Sequence, residues 1–382
     1  QFGTFSYALS WCMIWSSLAW LGVGDTVVRD IVRNRFAEGI VLGSATILRV
    51  FGASIAFLLC ITTGMLAIEN IDLPWLVLAI LAVGLCFAEV TGGIWMWFQA
   101  NGQLSPVVFA RNLSILAGAL TKVCVMLLGG GLIALSFAFV IETFVLCFLV
   151  VIAYYRCGER ISNWSYDMTA TRQVLKESLP LAFTSVIVSL NSRIDQIILG
   201  NLIDSAAVGI YATAVRFSEI WWMFPPVIIM VIAPKYLYVK ITHNELINRV
   251  VLISRYMTIL AIIPASLIIY FSESIIMTIM GEEYMFSATI LKVHILLAVI
   301  VFFEASIIQY LITQGKKWTL AYKTVCLLFL NIILSICLVK SYGSVGAAWA
   351  TVAAQVLSVL ILIMTPKCIE FRLLMKKIFL FK

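Results

Sequence analysis

Nine charged side chains lie well inside long apolar runs of this chain, five of them near the middle, where an uncompensated charge at a bilayer centre costs roughly 2.5–3.5 kcal/mol. Arg49, Glu89, Glu142, Arg216 and Glu219 fall near the middle of their runs. Arg193, Asp195, Arg255 and Glu304 lie within about two or three helical turns of an end. Two kinds of chemistry follow. A guanidinium in a wet cavity offers a planar fork of donors that matches phosphate oxygens, so Arg216, deep in its run, is a candidate substrate-binding group. A carboxyl group in such a place can take up and release a proton or a cation on each cycle, which makes Glu89, Glu142, Asp195, Glu219 and Glu304 candidate coupling groups. A plainer reading stands beside each: closed ion pairs that only hold helices together. Those would be Asp195 with Arg193 or Arg216, Glu219 with Arg216 three residues away on one helical face, and Glu89 and Glu304 with Arg49 and Arg255. The segment Asn191-Ser192-Arg193-Ile194-Asp195-Gln196 is the most polar piece of any run.

The elements that must position these groups are membrane helices. Eleven apolar stretches of roughly 20 or more residues are each long enough to cross a hydrocarbon core of about 30 Å. They cover 4–23, 40–68, 75–98, 106–128, 132–155, 178–202, 206–232, 250–271, 286–312, 318–339 and 345–364. Nineteen of the 26 Lys and Arg residues fall in, or at the mouth of, one alternate set of the intervening gaps, Arg111 and Lys323 among them. The other set holds Lys340 with the acids Glu69, Asp72, Glu273, Glu282 and Glu283. By the positive-inside rule the basic side, including the tail 367–382, is cytoplasmic. Lys122 and Lys292 sit close enough to the outer surface to snorkel. Eleven spans with a cytoplasmic C-terminus put Gln1 on the outer face, which leads to the expectation of one further helix upstream and about twelve in all.

Composition narrows the function classes. The chain is 63% hydrophobic and 12% charged, which leaves no room for a soluble domain. The net charge of +7 belongs mostly to the loops, so it suits anionic lipid head groups and membrane lipids as partners rather than nucleic acid. None of the nine cysteines falls in an outer loop, and no CxxC or Cys/His cluster points to a metal. We expect no cofactor and no catalytic residues: a transporter, not an enzyme.

The two halves resemble each other in register. Phe2-Gly3-Thr4-Phe5-Ser6-Tyr7-Ala8 overlies Val208-Gly209-Ile210-Tyr211-Ala212-Thr213-Ala214, Arg49 overlies Arg255, and Phe87-Ala88-Glu89 overlies Phe302-Phe303-Glu304. Residues 131–138 overlie 343–350. Matching helices share orientation, which implies a parallel repeat of six-helix lobes with a cavity between them. The expected boundaries are an N-terminal lobe at 1–155, lacking its first helix, a cytoplasmic linker at 156–172, a C-terminal lobe at 173–366 and a basic tail at 367–382. Pro225-Pro226 removes two backbone donors within a span and predicts a kink; Pro264 predicts a bend in the next. Trp20, Trp75 and Trp318 near span ends fit the aromatic belt.

At the level of motifs, Arg193-Ile-Asp195-Gln-Ile-Ile-Leu-Gly200 followed by Val208-Gly209-Ile-Tyr211-Ala-Thr-Ala214 resembles the second-half signature of Wzx-type polysaccharide flippases. These belong to the multidrug/oligosaccharidyl-lipid/polysaccharide exporter superfamily. Gly281-Glu282-Glu283-Tyr284 and Gly343-Ser-Val-Gly346-Ala-Ala-Trp-Ala350 resemble its later segments, and Phe2-Gly3 to Tyr7 with Gly22 the start of its second helix. The resemblance implies an all-α polytopic membrane protein with two six-helix lobes around a cationic cavity, and it implies Arg49, Arg193, Arg216 and Arg255 as the substrate-binding arginines of that cavity. It also implies a lipid-linked oligosaccharide substrate, a polyprenyl-diphosphate glycan such as an O-antigen repeat unit, moved from the inner to the outer leaflet of a bacterial inner membrane. Other glycan-assembly membrane proteins would be its partners. A drug/cation antiporter of the same superfamily and a lipid II flippase are the alternatives. A membrane glycosyltransferase or polymerase would want a large outer loop carrying catalytic groups, and the outer loops here are short.

Overall fold

The computed structural model describes residues 2–20, 23–32, 36–67, 75–237, 242–314 and 316–364. Among them every long element is a helix and no strand occurs: α1 Phe2–Trp20, α2 Val23–Val32, α3 Glu38–Ala67, α4 Trp75–Val90, α5 Gly92–Ala100, α6 Ser105–Leu127 and α7 Leu132–Arg156 come first. Then follow α8 Met168–Leu202, α9 Ser205–Glu219, α10 Phe224–Tyr236, α11 His243–Met280, α12 Phe286–His294, α13 Leu296–Thr313 and α14 Lys317–Met364. The chain is an all-α, multi-pass membrane protein: eight of the described helical stretches are long and apolar enough to cross a bilayer. Of the basic and acidic residues used to orient the loops, Arg33, Arg35, Glu69, Asp72, Lys240 and the tail 367–382 lie outside the described residues.

Eight stretches and eleven apolar runs differ for local reasons. Runs 4–23 and 178–202 form α1 and α8, but Ser and Trp residues dilute the first and the polar 191–196 segment the second, so neither is apolar enough to count. Runs 318–339 and 345–364 count once, because they follow one another in α14 with only the kink at Gly343 between them. Gly343 itself is non-helical (φ 59°, ψ −140°). An unbroken rod of 48 residues would be about 72 Å long, more than twice the hydrocarbon core, so this glycine is what makes two spans of one. A Cβ on Gly346 would run into the Leu338 carbonyl, so the two rods meet backbone to backbone.

Pro225 and Pro226 act differently from the interior kink expected of them. The helix breaks one turn earlier, as a 3-10 turn at Ile220–Met223, and the prolines occupy the first turn of α10, where their missing N–H groups would have no partner anyway. Helix α11 continues through Pro264. Run 75–98 is interrupted at Thr91, between α4 and α5, and run 286–312 at Ile295, between α12 and α13.

The chain divides into two compact units, Gln1–Arg193 and Ile194–Lys382, with the division falling inside α8. In the first, α1 packs on α3 and α4, and α7 on α4 and α6. Its core is built from Val41, Leu42, Trp97, Phe98, Val150 and Tyr154, among others. Segment 161–165 lies against the start of α3: the Ser165 N–H donates to the Gly39 carbonyl at 3.1 Å, and Trp164 Nε1 donates to the Tyr154 hydroxyl at 3.0 Å. A Cβ on Gly39 or Gly43 would strike that segment's backbone, so both glycines are needed for the contact. Arg29 of α2 pairs with Glu177 of α8. In the second unit α11 packs on α13, and α12 on α9 and α14, around Val250, Met257, Phe302 and Tyr310. Phe51, Leu58, Phe109, Leu116, Phe144 and Phe148 are each more than half exposed, an arrangement that suits hydrocarbon and not water.

Capping sets where helices begin. Asp204 accepts from the Ala207 N–H at 2.7 Å, and Thr242 with Glu245 forms a reciprocal capping box on α11. Asp167 Oδ1 accepts from the Ala170 N–H at 2.8 Å, and these backbone donors hold its carboxyl below the usual aspartate range. A depressed folded-state value contributes stability that is present at neutral pH and lost as the pH falls through about 4 and below. The protection of the amides at residues 169–172, taken as observed exchange against the intrinsic rate at each pH, should therefore fall on acidification across that window, and Asp167→Asn, which keeps an acceptor but cannot titrate, should abolish that fall.

Candidate functional site

The first unit encloses a cavity of about 550 Å³ whose wall includes Arg49, Glu89, Trp95, Gln99, Arg111 and Glu142. Arg49 comes from the middle of α3 and Glu89 from the last turn of α4, just before the interruption at Thr91. Arg49 Nη2 donates to Glu89 Oε2 at 2.5 Å, with the arginine side chain 4% exposed and the carboxylate 12%. Gly92, at the start of α5, makes room for it: a Cβ there would occupy the space of the guanidinium. Of the paired and phosphate-binding readings of Arg49, the geometry realises the pair, yet both partners line the cavity.

Glu142 of α7 receives Lys122 Nζ of α6 at 2.6 Å. Lys122 is thus a counter-charge rather than a snorkelling bystander. Gly118, one turn before Lys122 on α6, is again the enabling residue, since a Cβ there would overlap the Glu142 carboxylate. Both pairs join helices that pack directly, α3 with α4 and α6 with α7.

Arg111 was counted as a loop-side charge in the sequence, and the structure puts it on the cavity wall. Its guanidinium carbon lies over the Trp95 ring at 6.0 Å from the centroid, within cation–π range. Among the described residues no carboxylate pairs with it. Arg111, Trp95 and Gln99 escaped the sequence reading because each sits near a helix end, where arginine and tryptophan have ordinary interfacial explanations.

In the second unit Asp195 is buried, and its partners differ from the arginines expected. Tyr211 and Thr351 hydroxyls donate to Oδ2 at 3.1 and 2.8 Å, and Ser335 donates to Oδ1 at 3.2 Å. Ser335 also lies 3.2 Å from Asn331 Oδ1. These partners converge from α9 and α14, so the carboxylate is tied into a neutral polar cluster. Beside it, His294 lies edge-on to the Tyr211 ring, 6.0 Å between centroids, and its Nδ1 is 2.6 Å from Ser218 Oγ. Glu304 is likewise buried, but its counter-charge is Lys323, with Gln355 Nε2 donating to the same oxygen at 2.9 Å. Arg255 was the partner expected; Lys323, assigned from the sequence to the cytoplasmic mouth, fills that place. Arg193 is half-buried on α8, Arg216 is exposed on α9 with Glu219 half-buried at its last position, and Arg255 is half-buried on α11.

The Arg49–Glu89 pair makes a stability prediction. Arg49→Leu strands a buried carboxylate and should cost about 3–5 kcal/mol, whereas the double replacement Arg49→Leu/Glu89→Leu removes both charges and should recover most of the loss. Thermal unfolding in detergent checks the order; a double variant less stable than the single would refute the coupling.

With this geometry established, comparison with known proteins gives a consistent picture. Residues 1–236 match the family model described as polysaccharide biosynthesis protein. A capsular polysaccharide biosynthesis protein of Staphylococcus aureus, CapF, is 26% identical over 199 residues, which are 50% of this chain and 49% of the relative. The chain thus aligns with about half the length of that relative. Among solved structures, a multidrug resistance MATE family transporter of the MOP superfamily in an inward-facing conformation superimposes with a TM-score of 0.72 at 13% identity, covering 98% of this chain and 90% of the other. The lipid II flippase MurJ in an inward closed conformation gives 0.72 at 14% identity, covering 99% and 84%. The fold is therefore that of MOP-superfamily transporters and of a flippase, and the chain belongs to the polysaccharide biosynthesis protein family.

Proposed function

We propose that the protein moves a polyprenyl-diphosphate-linked oligosaccharide, an O-antigen repeat unit or similar glycan, from the cytoplasmic to the outer leaflet of a bacterial inner membrane by alternating access. The C-terminus lies on the cytoplasmic side in this reading. One observation carries it: a cavity of about 550 Å³ with Arg49, Glu89, Arg111 and Glu142 in its wall, within helices that expose Phe and Leu on other faces. Ligand sites generally fall between about 300 and 1,000 Å³, and a site inside a membrane helix cluster has use for a solute that cannot cross lipid unaided. Family membership and the capsular polysaccharide relative favour a glycan as cargo; the fold shared with a lipid II flippase favours one carried on lipid.

Coupling is assigned to Asp195. Glu89, Glu142 and Glu304 are each offset by a basic side chain, whereas the groups around Asp195 are hydroxyls and an amide, which solvate a charge without cancelling it. A proton or an oxygen-loving cation would complete that site. Arg193, Arg216 and Arg255, with Glu219, are then further polar contacts along the path. A drug/cation antiporter would call for uncompensated acids in the cavity, and Glu89 and Glu142 are both compensated.

Leaflet-resolved analysis of polyprenyl-linked glycan tests the reading. Cells lacking the protein should accumulate it in the inner leaflet, wild type should clear it, and Asp195→Asn should insert normally yet clear it near the background rate. Normal surface glycan combined with raised drug sensitivity in the deletion strain would transfer the protein to the antiporters.

A further inference from the structure

Two thiols from different helices touch inside the first unit, 48 residues apart in sequence. Cys12 of α1 and Cys60 of α3 are both buried, and their sulfurs lie 3.5 Å from each other. The helix register is fixed at the same level, where Trp11 Nε1 donates to the Cys60 carbonyl at 3.2 Å. Ala19, Ala53 and Ala56 pack where α1 meets α3, and their small size lets the two helices approach. The Cys12 thiol lies 3.8 Å from the Leu78 carbonyl of α4. Beside the pair is a small cavity of about 20 Å³, whose wall includes Cys12, Ser16, Cys60, Cys86 and Glu89. Cys86 belongs to another level: its sulfur meets the Ala53 carbonyl, two helical turns or about 10 Å along α3 from Cys60.

We propose that Cys12 and Cys60 form a dithiol site for a small uncharged compound of trivalent arsenic, arsenous acid being the simplest. Charge decides the ligand class. Zinc wants four ligands, and among the described residues no three His, Cys, Asp or Glu side chains are placed to hold a metal ion. Two-coordinate Cu(I) needs only two sulfurs, but as thiolates. The complex would leave net negative charge in an apolar wall where no lining residue is basic. Arsenous acid avoids both demands. It exchanges two hydroxyls for the two sulfurs: two As–O bonds break, two As–S bonds form, and each thiol proton leaves with a hydroxyl as water. Nothing is oxidised or reduced, the third hydroxyl stays on arsenic, and the product buries no charge. Because the thiols are already in contact, the second bond closes within one molecule and little further freedom is lost. The adduct ties α1 to α3. It is independent of what the protein transports.

Full-chain protein, reduced and purified in detergent, is incubated with sodium arsenite at neutral pH, freed of excess and weighed intact by native mass spectrometry. Wild type should carry a single arsenic and melt at a higher temperature than untreated protein, as follows for a ligand held by the folded state alone. Cys12→Ser and Cys60→Ser should each lose both the arsenic and the rise in melting temperature, whereas Cys86→Ser and Cys147→Ser should keep them. Melting of each variant without arsenite is recorded first, and Cys12→Ala or Cys60→Ala replaces a serine variant that fails to fold. Dimercaptopropanol should strip the arsenic from wild type under conditions where a monothiol, matched for total thiol, does not; that result needs no variant. Arsenic retained by both the Cys12 and the Cys60 variants, or lost from Cys86→Ser alone, overturns the assignment. Equal removal by monothiol and dithiol overturns it too, as does wild type that takes up no arsenic.

Discussion

A charge inside a bilayer must be matched by an opposite charge, by water or by a dense set of dipoles, and this chain uses all three solutions at identifiable places. Arg49–Glu89, Lys122–Glu142 and Lys323–Glu304 are matched charge for charge. Arg111 is exposed on the cavity wall beside the Trp95 ring, where water can reach it. Asp195 is matched by hydroxyl dipoles alone. The desolvation cost of an ion in hydrocarbon is so large that each solution dictates what must surround it, and much of the helix packing can be read as meeting that demand.

Glycine is the means. Ion pairs between neighbouring helices need the carboxylate and the base to lie in the same plane as the helix contact, where a side chain would normally fill the space. Gly92 clears the volume that the Arg49 guanidinium occupies, and Gly118 does the same for the Glu142 carboxylate. The principle that small residues let helices approach in membranes serves here to let charged groups in between them. Gly346 shows the same logic applied to backbone alone, where two spans meet at the Leu338 carbonyl.

The membrane helices were legible from the sequence because hydropathy acts through windows of twenty residues and survives local irregularity. The break between runs 318–339 and 345–364 was legible as a dip in hydropathy, and its cause, the positive φ of Gly343, came with the structure. The Arg49–Glu89 pairing was legible as an alternative, since the two lie on sequential helices and antiparallel neighbours are the commonest contact. Partners farther along the chain were not. Asp195 meets Ser335 and Thr351, 140 and 156 residues away, and no periodicity records which helix of a bundle will deliver a hydroxyl to a given acid. Lys323 was misplaced for a related reason: a lysine two turns into a helix can either snorkel outward or turn inward, and only the presence of Glu304 decides.

The division of labour between the two units follows from the same electrostatics. A transporter that alternates between states needs one group whose charge balance changes during the cycle and others whose balance does not, because a pair that stays closed cannot report on anything. In the first unit the deep pairs are self-contained, so each buried charge there keeps its counter-charge within reach. In the second, Asp195 is held in place by neutral hydroxyl donors, the arrangement that the coupling role proposed above calls for. In that proposal the conformational work is asked of a buried carboxylate tied to neutral donors, which solvate a charge without cancelling it and so leave it sensitive to an arriving ion.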